Sequence, residues 1–100
     1  MSELVINEKQ YTKPTKWVFQ DGQLYGLRNG TAWMLKPEEI DRIFVMKPSL
    51  LMKGSVTIFG ASDGRPIGEE FSFSFKKEDS EKVANFLLTL QQSGIMIVVA

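Results

Sequence analysis

The stretch FSFSF places Phe71, Phe73 and Phe75 in strict alternation with Ser72 and Ser74. A two-residue period of this kind sets one face of a β-strand in a core and leaves the other in water. Directly afterwards the period changes. Val83, Phe86, Leu87 and Leu90 stand at i, i+3, i+4 and i+7, one stripe of an amphipathic helix. Asp79 or Ser80 is placed to cap its start, Glu81 suits the dipole in the first turn, and Gly94 fits the position that stops a helix.

Upstream of this helix the apolar runs are short and separated by turn dipeptides: Asp-Gly at 21–22, Asn-Gly at 29–30 and Asp-Gly at 63–64. Such pairs supply the positive φ angles of tight hairpins. They predict a meander of antiparallel strands over residues 4–6, 16–19, 23–27, 31–35, 43–46, 55–59 and 70–75. After the helix the chain ends in IMIVVA. This run is too short and too rich in β-branched residues for more helix, so it predicts a further strand over 95–99. Because both faces are apolar, that strand is expected to be largely buried and covered on both sides. Its pairing partner is its own domain's open edge, a second copy or another protein. Strands followed by a helix, with no repeat and no linker, make residues 1–100 a single α+β domain.

Composition narrows the chemistry. The chain of 100 residues is 43% apolar, enough for a core at this length. Its 12 basic and 12 acidic side chains cancel. Dedicated nucleic-acid binders carry a basic excess, so nucleic acid is disfavoured as a partner. There is no Cys and no His, which removes disulfides, thiolate metal sites and the commonest general base and metal ligand. No nucleophile-elbow, phosphate-loop, dinucleotide or metal motif is present. The paired acids Glu38, Glu39 and Glu69, Glu70 point to opposite faces if they lie on strands. These observations predict no catalytic residue, no cofactor and no metal. The first ten residues, MSELVINEKQ, do not read as a signal peptide, and no apolar run reaches membrane-spanning length, so the expected location is cytoplasmic.

From about residue 16 to 94 the chain resembles a bacterial pleckstrin-homology-like domain. The resemblance rests on the Gly turn after Asp21, the strand ending in Asn29 and Gly30, the link LKPEEIDRI, the strand GSVTIF and the run FSFSFKKEDSEKVANFLLTL. It implies an antiparallel barrel or sandwich of about seven short strands whose C-terminal helix plugs one end, with the phenylalanine face against the helix stripe. IMIVVA departs from that pattern, since such domains often stop with the helix.

Two regions and a tail stand out as candidate contacts. Lys9, Lys13 and Lys16 lie in EKQYTKPTKWVF with no acid between them. The resemblance implies an anionic-ligand loop there, and the blander reading of ordinary surface lysines is favoured. Leu50, Leu51 and Met52 lie between Pro48 and Gly54, flanked by Lys47 and Lys53. An exposed tip makes them an apolar finger for a membrane interface or a partner's groove. A continued strand or a lid on the barrel end is the favoured reading. Leu88, off the buried stripe, gains weight if it joins Ile95, Ile97 and Val99 of the tail. The sequence thus predicts a non-catalytic binding module that recognises a protein or a second copy of itself. A small phage- or prophage-encoded inhibitor of a host factor suits this description. The rival reading is peripheral binding to anionic lipid through the residue 9–16 and 50–52 loops.

Overall fold

The computed structural model describes residues 1–100. Strands β1 (Ser2–Ile6), β2 (Thr15–Gln20), β3 (Gln23–Arg28) and β4 (Thr31–Leu35) form one antiparallel sheet in that spatial order. Its two tight hairpins follow from the turn dipeptides. Asp21 and Gly22 both take positive φ, as do Asn29 and Gly30, and the strands pair from Gln20 opposite Gln23 and from Arg28 opposite Thr31. Two consecutive positive φ angles match the right-handed twist of the flanking strands.

The second sheet contains β5 (Ile40–Met46), β6 (Gly54–Gly60), β7 (Ser72–Phe75) and β8 (Ile97–Val99), in the order β7-β6-β5-β8. Between β7 and β8 lies helix α1 (Ser80–Gln92). The third dipeptide does not make a tight hairpin. Only Gly64 there has positive φ, and the loop folds back on β6 through Gly60 N–H to the Arg65 carbonyl and Ile67 N–H to the Ile58 carbonyl.

The two ladders stay separate, so the expected barrel is an open two-sheet sandwich. The second sheet is also mixed, because β8 runs parallel to β5, with Ile43 opposite Ile97 and Val45 opposite Val99. The strand expected over 70–75 starts later. Glu69–Phe71 is a 3₁₀ turn whose carbonyls bond to the first sheet: Arg28 donates to the Glu69 carbonyl at 2.7 Å and the Trp33 indole to that of Glu70 at 2.7 Å.

The helix buries the stripe read from its period: Val83, Phe86, Leu87 and Leu90. Its N-terminus corrects the capping expectation. The chain enters through a 3₁₀ turn at Lys77–Asp79, no side chain caps the helix, and the Asp79 carboxylate pairs with Lys82 at 3.4 Å. The C-terminus follows the expected chemistry. Gly94 has φ 95°, its N–H donates to the Gln91 carbonyl, and the Ile95 N–H donates to Leu90. That bond pair defines a Schellman stop, with buried Ile95 making its apolar contact. At the centre of the core, Trp17 meets Trp33, Phe73 and Phe86 edge-on at centroid distances of 5.6, 5.0 and 6.4 Å. Its own indole N–H is buried without an acceptor.

Candidate functional site

The tail does not sit as its composition predicts. Ile95 is buried beneath the helix end, but Met96 is 61% and Val99 53% exposed. The reason is geometric. β8 extends the sheet one strand past the helix, so α1 covers Ile95 and only partly shelters residues 96–99. Ile97 and Val99 share the inner face with Ile43 and Val45 by register. Between them and the flank of α1 runs a groove of about 810 Å³. Val45, Ile97 and Val99 line one side of it, and Ala84, Leu88 and Gln91 of the helix line the other. Phe75, Val83 and Leu87 also contribute to its lining, as do Lys47, Lys77, Glu78 and Glu81, so both signs of charge are present.

The backbone beside this groove is unpaired on one side. Ile43 N–H donates to the Met96 carbonyl and Ala100 N–H to that of Val45. A strand's amide and carbonyl directions alternate, so residues 96, 98 and 100 face β5. Ile97 and Val99 turn their N–H and C=O groups to the open edge.

The structure therefore brings together three of the residues singled out in the tail and helix: Leu88, Ile97 and Val99. Ile95 belongs to the core. Leu50, Leu51 and Met52 sit elsewhere, at the tip of the β5–β6 hairpin. They neither continue a strand nor fold back as a lid, for Leu50 and Leu51 are fully exposed and Met52 is 69% exposed. Lys9 and Lys13 lie exposed on the β1–β2 loop. Lys16 is on β2 itself, opposite Val5, with its ammonium 3.8 Å from Glu3. The lysine loop and the apolar tip thus occupy different sheets.

One constellation carries no signal in the sequence. Glu8, Thr15 and Arg28 are all buried. The Glu8 carboxylate accepts from Arg28 Nε at 2.9 Å and Nη2 at 2.8 Å, and from the Thr15 hydroxyl. It also accepts from the Ser74 backbone N–H at 2.9 Å and the Ser74 hydroxyl at 3.1 Å. Arg28 packs over Tyr11 at 5.2 Å. Burial pushes the Glu8 pKa up, but donors from Arg28, Ser74 and Thr15 and the Arg28 charge hold it below the usual carboxylate range. Glu8 and Arg28 therefore bridge the two sheets and cap the free edge of β7. In sequence they are single charges in a polar stretch and at a strand end, where exposure is the ordinary expectation. With every carboxylate oxygen occupied by a donor, the group is arranged for structure.

No group of three or more potential ligand residues is placed to hold a metal ion, and no helix is long and apolar enough to cross a membrane. Comparison of the chain with protein-family models, with curated proteins and with solved structures returned no match.

Proposed function

We propose that this chain is a non-catalytic recognition domain whose partner is a second copy of itself, joined through the open edge of β8. The observation that carries the reading is the apolar groove beside unpaired backbone at Ile97 and Val99. An uncovered strand edge is a template for another strand. An antiparallel partner strand centred on Val98 pairs Ile97 with Val99 of the other copy, and the reverse, so one edge satisfies the other across a two-fold axis. The half-exposed Leu88 and Val99 of each copy then face one another across the groove, supplying the apolar centre that a stable interface needs. A two-fold arrangement also tolerates a groove lined by both signs of charge.

Light scattering tests this directly. The expected mass is twice the 11.3 kDa of one chain. Val99→Pro removes one outward N–H and leaves the β5 ladder intact, so it is expected to halve the mass while preserving the fold. A wild-type chain that stays monomeric at millimolar concentration overturns the reading.

A further inference from the structure

We infer that the tip of the β5–β6 hairpin docks on an anionic lipid bilayer, a role separate from the β8 edge. Three apolar side chains, Leu50, Leu51 and Met52, project from the molecule; the two leucines are wholly exposed and Met52 is largely so. The tip is not a loose loop. Ser49 N–H donates to the Met52 carbonyl at 2.9 Å, and Met52 N–H donates to the Ser49 hydroxyl at 3.2 Å. Two backbone donors are thus satisfied inside the turn, which lowers the cost of carrying it into an apolar medium.

Around the base of this finger the register gathers lysines. Lys47 and Lys53 flank the tip in sequence. Gly54 pairs with Phe75 at the end of that ladder, and Lys53 and Lys76 are the next residues beyond it on the two strands. Lys77 follows and, like Lys47, lines the groove. No acid interrupts residues 42–62. The acids that follow Lys76 and Lys77 in the chain are Glu78 and Glu81, which line the groove, and Asp79, which is paired with Lys82.

An exposed apolar tip flanked by lysines matches the layering of an anionic membrane, with hydrocarbon below and phosphate above. Lysine's flexible point charge suits such a diffuse field. A folded protein partner needs a fitted pocket for the same tip. A nucleic acid offers it no stacking surface, since the tip has no aromatic residue.

Vesicle co-sedimentation of the full chain provides the test. Vesicles of phosphatidylserine in phosphatidylcholine are expected to bind it at low salt, and pure phosphatidylcholine is expected to bind much less. Lys47→Gln with Lys53→Gln should weaken partitioning roughly 25-fold, about fivefold per lysine. Leu50→Asn with Leu51→Asn should weaken it by about tenfold or more. All four side chains are exposed, so these variants are expected to melt with the wild type. A second readout does not depend on mutant affinity. The chain has no cysteine, so Leu51→Cys carries a single polarity-sensitive dye, whose emission is expected to shift blue on phosphatidylserine vesicles. Absence of binding at low salt overturns the inference. So does binding indifferent to both variant pairs, equal binding to neutral vesicles, or a dye that stays in water while the chain sediments.

Discussion

Arg28→Met is expected to remove a large part of this domain's stability, because it strands the Glu8 carboxylate. The Glu8 side chain has no solvent exposure and that of Arg28 has 9%. Removing one member of a buried, hydrogen-bonded pair costs about 3–5 kcal/mol, since the remaining charge keeps its desolvation penalty. A domain of this size has about 5–15 kcal/mol in total. At roughly 4–8 °C per kcal/mol, the melting temperature is expected to fall by at least about 12 °C. Arg28→Met also removes the guanidinium bond to the Glu69 carbonyl, which keeps only the Ser72 hydroxyl and N–H as donors. Adding Glu8→Met should restore part of the stability, giving a coupling energy of at least about 1.5 kcal/mol in a double-mutant cycle.

The pH dependence separates this mechanism from simple loss of packing. In the wild type the Glu8 pKa is lowered in the folded state. Its contribution is therefore present above the unfolded value, near 4.3, and lost as pH falls through the folded value. In Arg28→Met the cation is gone while burial remains, so the pKa is expected to rise. Folding then favours the protonated acid, and the penalty shrinks as pH falls from neutral towards 4. Urea denaturation at pH 7, 5.5 and 4.5 is expected to show wild type and variant converging in acid. A deficit constant across that range refutes the stranded-charge argument, as does an unchanged midpoint at pH 7.

Two glycines give further expectations. A Cβ built at Gly26 falls 2.0 Å from the Trp33 ring, so Gly26→Ala should cost about 1–3 kcal/mol by overpacking and alter tryptophan fluorescence as the indole leaves the Glu70 carbonyl; an unperturbed spectrum counts against that contact. Gly94 has φ 95° with open space around it, so Gly94→Ala should cost about 1–2 kcal/mol from backbone strain alone, read from the denaturation midpoint.

Local patterns made much of the fold legible in the sequence. The two hairpins of the first sheet follow from dipeptides that demand positive φ, and the helix from a stripe whose members all reach the core. What escaped prediction depends on contacts distant in sequence. Strand β7 starts late because Arg28 and Trp33 of the other sheet claim the Glu69 and Glu70 carbonyls. The tail's β-branched composition identified a strand, but its cover depends on where the helix stops across the sheet. The mixed ladder was illegible for the same reason. Exposure at 50–52 went against the favoured expectation, because the hairpin closes on its own hydrogen bonds and no other element reaches it.

The second sheet has two edges, and the chain treats them differently. At β7 a buried carboxylate takes the Ser74 N–H, and Arg28 ties the same segment to the first sheet. Those contacts need a charge pair withdrawn from water and leave no room for a further strand. At β8 nothing comparable stands against Ile97 and Val99, although open apolar edges are usually blunted by charge, proline or a bulge. No lysine lies among residues 90–100 to serve as a gatekeeper. The contrast supports the proposed role of β8: one edge is closed at the cost of burying a charge, while the other keeps its donors, acceptors and adjoining groove available. Val98→Lys tests the distinction. It places a charge on the outer face of β8, opposite Phe44, and leaves the groove and the β5 ladder in place. If the edge pairs two copies, Val98 meets its own counterpart at the two-fold axis, so the mass should fall to that of one chain with little change in melting temperature. A variant that remains dimeric places the interface elsewhere.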